Sequence, residues 1–271
     1  MRQLIYNIYR KIFARSKFYN LNKAIYNLIV KSIGINNFEN DNLSGEKNLL
    51  KVVLNNFKEP VIFDIGGNVG NYSNSIKTLS SDSILYSFEP HPKTYEILKK
   101  NAAKYGYLAY NLACGNSDSK MLLYDYEEEL EGSEHATLFK ETFENLYHKK
   151  SISYEVDVIT LDNFIQGNNI DRINLLKIDT EGNEYNVLLG AKECLNNGKI
   201  DLIHFEFNAM NVYSRIFFKD FYDLLVNYDL FRLLPKSFLR IDKYETIHCE
   251  IFAYQNILAV RKNLKIKGVS N

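Results

Sequence analysis

The spacing of apolar and polar positions divides the chain into two textures. Over the first 38 residues apolar side chains recur at helical spacing: Leu4, Ile5, Ile8, Tyr9, Ile12 and Phe13, then Leu21, Ile25, Leu28 and Ile29. This predicts one or two amphipathic helices. The Asn-rich stretch 36–45, ending in Ser44-Gly45, reads as a loop. After Glu46, short apolar runs alternate with helical patterns. Strands are predicted at Val61–Ile65, Ile84–Glu89, Tyr107–Leu112, Ile173–Asp179, Ile200–Phe207 and Glu250–Val260. Helices are predicted at Tyr72–Leu79, Tyr95–Tyr105 (introduced by Pro92), Glu184–Leu195 and Phe217–Tyr228. The alternation breaks between Met121–Tyr126 and Tyr154–Ile159, two strand-like segments around a polar stretch with Glu127–Glu131 and Gly132. We read these as a hairpin-like excursion at the rim of an active site, with the acidic run as a solvated loop. Repeated β-α units of this spacing imply an α/β fold with a doubly wound, Rossmann-like, mainly parallel sheet and helices on both faces. Such sheets bind ligands at the carboxyl ends of their strands.

Charge changes this picture more than composition does. With 46% apolar and 24% charged residues, the 271-residue chain can bury a real core, which excludes global disorder. The formal net charge is zero, which argues against a generic nucleic-acid binder. That zero is a sum of opposed parts. Seven basic residues (Arg2, Arg10, Lys11, Arg15, Lys17, Lys23, Lys31) precede the first acid, Glu39, and four more follow the last acid, Glu250. The middle therefore holds 22 basic against 33 acidic residues, a net of −11. The expected division is a basic helical extension over 1–44, a catalytic domain over 45–262 and a basic tail over 263–271. The basic helices are expected to pack on the catalytic domain as a lid or dimer arm; the alternative is peripheral contact with an anionic membrane. Sequence leaves the oligomeric state open.

Cys114, Cys194 and Cys249 lie far apart with no C-x-x-C spacing, so they read as buried small hydrophobes rather than a disulfide or zinc framework. The N-terminal apolar positions are interrupted by Asn7, Arg10 and Lys11, unlike a secretory signal. A cytoplasmic protein is expected, with the inner face of the membrane as its one further location.

The first strand runs into a glycine turn, Asp64-Ile-Gly66-Gly67-Asn68-Val-Gly70-Asn-Tyr72. A dinucleotide fingerprint, G-x-G-x-x-G, would need glycine where Ile65 stands. The form D-x-G-x-G-x-G fits Asp64, Gly66 and Gly70, with Asn68 at the middle glycine. Asn tolerates left-handed backbone better than most residues. A carboxylate before the turn would repel a pyrophosphate but attract the ammonium of S-adenosylmethionine. Asp64, Gly66, Gly67, Asn68, Gly70 and Tyr72 are therefore candidate cofactor residues. Glu89 ends the second strand, 25 residues on, where an acid can accept hydrogen bonds from both ribose hydroxyls. His91 either lines an adenine pocket or caps a helix, and Asn111, at the end of the third strand, is a candidate for the adenine edge.

Three carboxylates follow the fourth strand in Lys177-Ile-Asp179-Thr-Glu181-Gly182-Asn-Glu184, and the fifth carries His204-Phe-Glu206-Phe-Asn208. Together DIGGNVGNYS, FEPHP, KIDTEGNEYNVLLGA and FEFN resemble the FkbM-type family of class I S-adenosylmethionine-dependent methyltransferases, over roughly residues 45–260. The resemblance implies a seven-stranded methyltransferase sheet, S-adenosylmethionine as cofactor, and O-methylation of a sugar, glycan or small-molecule hydroxyl. Methyl transfer is an in-line displacement in which a carboxylate can take the acceptor proton. Asp179, Glu181 and Glu206 are the candidate catalytic residues. His204 is a weaker one, read with Lys177 as structural pairing, and no resident metal is assigned. An NAD(P)-dependent enzyme and a catalytically idle nucleoside-binding subunit are the competing readings.

Overall fold

The computed structural model describes residues 2–126, Thr137 and 151–269; the acidic run Glu127–Glu131 lies outside the described residues. Helices α1 (Arg2–Phe13) and α2 (Tyr19–Ser32) lead into α3 (Asp41–Ser44) and α4 (Glu46–Asn56). Then come β1 (Val61–Ile65), α5 (Asn71–Leu79), β2 (Ile84–Phe88), α6 (Pro92–Tyr105), β3 (Leu108–Tyr110) and β4 (Ala113–Cys114). The excursion is β5 (Ser119–Tyr126) and β6 (Ser151–Ile159), followed by α7 (Leu161–Gly167) and β7 (Ile173–Ile178). Next are α8 (Glu184–Leu189), α9 (Lys192–Asn196), β8 (Ile200–Phe207), α10 (Met210–Ser214) and α11 (Phe218–Leu224). The chain closes with β9 (Tyr228–Leu234), β10 (Ser237–Arg240), α12 (Thr246–Cys249) and β11 (Gln255–Arg261).

Eight strands form the main sheet in the order β10-β9-β11-β8-β7-β1-β2-β3. The five from β3 to β8 run parallel, and β11 lies antiparallel between β8 and β9. The expected seven strands are present, and β10 adds an eighth at the edge. Strand order reverses between β1 and β7, the switch point where a crevice opens above the strand ends. The excursion forms its own sheet, β4-β6-β5, with β5 and β6 antiparallel.

Three expected elements differ from the structure. The helix predicted over 184–195 breaks into α8 and α9 around Gly190, where a side chain would strike the Gly115 carbonyl at 1.9 Å. The helix predicted to Tyr228 ends at Leu224, and Tyr228 opens β9. The late strand begins at Gln255 instead of Glu250, because Glu250 instead accepts the Phe218 and Lys219 amides at the start of α11.

Both faces of the sheet are covered. One packs Phe63, Phe88, Leu176, Phe205 and Ile257 against α7, α8 and α11; the other packs Ile62, Leu85, Leu175 and Leu202 against α4, α5 and α6. All three cysteines are free and buried. Asn56 brackets Lys267 through its backbone N–H and carbonyl at 2.8 and 2.9 Å, and Ile266 is buried in the α4 face. The N-terminal helices behave differently: Val30 is buried, but Leu4, Ile5, Ile8 and Ile12 of α1 and Leu21 and Leu28 of α2 stay exposed. The expected packing of α1 on the catalytic domain is therefore not seen. Among the described residues no helix is long and apolar enough to cross a membrane.

Candidate active site

Four adjacent strands carry the same sequence of environments on one face, because side-chain alternation has period two and their register is aligned. Deepest lie Leu85, Ile62, Leu175 and Leu202, all in the apolar core. One pleat higher, Ser87, Asp64, Lys177 and His204 form a buried polar row. The following positions, Glu89, Gly66, Asp179 and Glu206, lie at the strand ends and line a cavity of about 740 Å³, within the size range of small-ligand sites.

Lys177 organises the polar row. Its Nζ lies 3.0 Å from Asp179 Oδ2, 3.7 Å from Asp64 Oδ1 and 4.8 Å from the Tyr72 ring centroid. Burial alone would favour the neutral amine, but Asp179, Asp64 and Glu46 outweigh it and hold the lysine protonated. Asp64 Oδ2 accepts the Ser73 hydroxyl at 2.6 Å, tying β1 to α5. His204 Nε2 meets Asn256 Oδ1 at 2.9 Å, and burial lowers the imidazole pKa.

The glycine turn is held to β2. Gly66 and Gly67 both donate backbone N–H bonds to the Phe88 carbonyl at 2.9 Å. Asn68, at φ +48°, donates its N–H to Glu89 Oε2 at 2.9 Å. The approach is close enough that a Cβ on Gly66 would lie 1.7 Å from the Asp179 carbonyl, and one on Gly67 would lie 2.0 Å from Ser87 Oγ. Glu89 also accepts the His91 N–H at 2.8 Å. Burial pushes its carboxyl up to about 7, against these two backbone bonds.

The turn after β7 is strained and clamped. Glu181 adopts φ +52° and Gly182 φ +102°; a non-glycine residue there costs roughly 1 to 2 kcal/mol. Glu184 Oε1 accepts three hydrogen bonds across this turn, from Thr180 N, Thr180 Oγ1 and Gly182 N at 2.9, 3.1 and 3.1 Å. The excursion reaches the same turn, since Thr137 Oγ1 donates to the Glu181 carbonyl at 2.8 Å and Leu123 lines the cavity. Half-buried Glu206 has its pKa raised well above the usual carboxylate range, first by desolvation and then by Asp179 and Glu181.

The sequence-predicted residues thus separate. Gly66, Gly67, Asn68, Tyr72, Glu89, Asp179, Glu181 and Glu206 line one cavity. Asp64, Gly70, His91 and Asn111 do not line it. Asp64 belongs to the polar row beneath, and Gly70 packs under Tyr107. His91 caps α6, with Nδ1 accepting the Thr94 N–H at 3.3 Å, the capping half of the two readings offered for it. The Asn111 amide donates to the Glu89 and Pro90 carbonyls at 2.8 and 2.9 Å, bracing the loop that carries Glu89. Sequence reading missed Phe38, Asp41, Glu46 and Tyr254, which line the cavity from segments read as loop, helix lead-in and strand. Their only prior signal was the density of acids and aromatics; the spacing to the motifs carries none.

The wall discriminates between cofactor charges. It holds six carboxylates (Asp41, Glu46, Glu89, Asp179, Glu181, Glu206) and, among the described residues, one cation, Lys177. The amides from Gly66 to Gly70 already have protein acceptors, leaving no nest of free N–H groups for a pyrophosphate. A dinucleotide fits this wall poorly, while the cationic sulfonium and ammonium of S-adenosylmethionine fit it. Gly66, Gly67 and Asn68 would face that cofactor, with Glu89 toward its ribose. Among the described residues no group of three or more His, Cys, Asp or Glu side chains is placed to hold a metal ion.

The methyltransferase FkbM domain family model matches residues 64–232. Methyltransferase 1 of Beauveria bassiana is 31% identical over 49% of this chain and 58% of its own length. The hexuronic acid methyltransferase AglP of Haloferax volcanii is 27% identical over 57% of the chain and 60% of its own length. The 2-O-methyltransferase NoeI of Sinorhizobium fredii is 23% identical over 66% and 76%. The chain thus spans less than two thirds of the first two relatives. With the family match running from Asp64 at the end of β1 to Arg232 in β9, the chain belongs to the FkbM methyltransferase family.

Proposed function

We propose that this chain is an S-adenosylmethionine-dependent methyltransferase that O-methylates a hydroxyl of a sugar or glycan, with a carboxylate of the Asp179, Glu181 and Glu206 group as general base. The observation that carries the reading is the meeting of these three strand-end acids with the glycine turn and Glu89 in one cavity. S-adenosylmethionine supplies a methyl group on a positively charged sulfur. With that cofactor bound, the acceptor oxygen would take the methyl carbon as the carbon–sulfur bond breaks, and the hydroxyl proton would pass to a carboxylate of this group. A raised pKa makes Glu206 a stronger base once ionised, and a cation in the cavity favours its ionised form. Lys177 holds Asp179 in place, and Glu184 holds the turn carrying Glu181. Two observations support a sugar. The same wall offers Asp41, Glu46 and Asn208 to hydroxyl donors, with the Phe38 and Tyr254 rings meeting edge to face at a centroid distance of 6.2 Å. Two relatives are also named for hexuronic acid and 2-O methylation.

The test is labelled methyl transfer to a panel of nucleotide sugars, lipid-linked glycans and small hydroxylated metabolites, with calorimetry against S-adenosylhomocysteine. Asp179→Asn and Glu206→Gln are each expected to abolish transfer while S-adenosylhomocysteine still binds. Full activity in both variants and in Glu181→Gln refutes the base assignment, and transfer confined to acceptors without a sugar refutes the substrate class.

A further inference from the structure

We propose that α1 and α2 form a docking surface for an anionic lipid bilayer, lying in its plane without crossing it. The inference stands apart from the choice of acceptor. In α1, Leu4, Ile5, Ile8 and Ile12 fall on one side at helical spacing, yet all are exposed, Leu4 to 63%. In α2, Leu21, Ile25, Leu28 and Ile29 do the same, with Leu28 at 71%. A soluble surface rarely leaves so much contiguous apolar area in water without a partner. The junction between the helices is built: Tyr9 Oη donates to Asn22 Oδ1 at 2.9 Å, and Asn22 Nδ2 donates to the Phe13 carbonyl at 3.0 Å.

Charge identifies the occupant. All seven ionised side chains before Glu39 are basic, while the remainder of the chain carries the compensating negative charge. A second copy seated helix to helix would bring like positive charges against each other. An anionic bilayer instead presents negative headgroups to Arg10, Lys11 and Lys23 and hydrocarbon to the apolar stripe, while Lys31 is already paired with Glu39. Exposed Tyr6, Tyr19 and Tyr26 suit the depth between the two. At 12 and 14 residues, the helices are roughly 18 to 21 Å long, which places them along the surface.

The experiment is co-sedimentation of the full chain with vesicles of phosphatidylglycerol and phosphatidylcholine, and with vesicles of phosphatidylcholine alone. Binding is expected to the first and not the second, and to fall as salt is raised. The triple variant Arg10→Glu/Lys11→Glu/Lys23→Glu should bind at least about 100-fold more weakly, and Ile5→Ser/Ile8→Ser/Ile12→Ser should lose binding. These positions are solvent-exposed, so S-adenosylhomocysteine affinity should be unchanged in both variants, which separates lost docking from misfolding. Absence of binding, or equal binding to both vesicle types, overturns the proposal. So does self-association in analytical ultracentrifugation that the serine variant abolishes while wild-type protein ignores vesicles.

Discussion

Glu184 sets a sharp test of how the motif around β7 works. It is buried, its Oε1 accepts three hydrogen bonds from the 180–182 turn, and burial pushes its carboxyl up to about 7 from an ordinary 4.5. That rise makes ionising Glu184 in the folded protein unfavourable by about 3 kcal/mol relative to the unfolded chain. Its sign is fixed by proton binding. Between about pH 4.5 and pH 7 the folded state keeps a proton that the unfolded state releases, so stability falls as pH rises through this window and then levels. Glu184→Gln retains an oxygen for the three donors but cannot ionise. It should match wild type near about pH 5 and exceed it by about 3 kcal/mol near about pH 8. Glu184→Ala removes the acceptor and should lie roughly 2 to 4 kcal/mol below Glu184→Gln at every pH, with activity falling as the strained Glu181 turn relaxes. Urea unfolding followed by far-ultraviolet circular dichroism measures both, since the chain contains no tryptophan. A Glu184→Gln curve parallel to wild type at all pH values would refute the reasoning.

Gly67→Ala should lose roughly 1 to 3 kcal/mol by overpacking, because the new Cβ meets Ser87 Oγ at 2.0 Å; adding Ser87→Ala should restore most of it, whereas additive losses in urea unfolding would show that another contact matters. Because the Glu206 pKa is raised by burial and its acidic neighbours, kcat/KM should keep climbing with pH above the usual carboxylate range as the base ionises. Measured pH profiles would contradict this if wild type were flat there, or if residual Glu206→Gln activity kept the same limb.

Much of the site was legible because polar residues interrupt otherwise apolar strands. Asp64 in VIFDI, Lys177 in INLLKI and His204-Phe-Glu206 in IDLIHFEF stand out by alternation alone. The hairpin β9–β10 was not legible: buried Arg232, whose guanidinium donates to Gln255 Oε1 at 2.7 Å, interrupts the apolar run and conceals a strand. Asp64 shows the same limit from the other side. A carboxylate before a glycine turn reads as a ligand, but only packing reveals Ser73 and Lys177 as its neighbours beneath the cavity floor. Phe38 and Tyr254 are more than two hundred positions apart yet meet at the cavity.

Local patterning by itself determined the β-α alternation, the glycine turn, the acids at the strand ends and the opposed charges of the two ends and the middle. Those follow from side-chain periodicity and backbone preference, which act over a few residues. The tertiary structure decided which polar side chains face the cavity and which support it from one pleat below. It also decided that the apolar stripes of α1 and α2 stay in solvent. Both depend on strand register and on which surfaces have partners, and these are long-range pairings that sequence spacing does not encode.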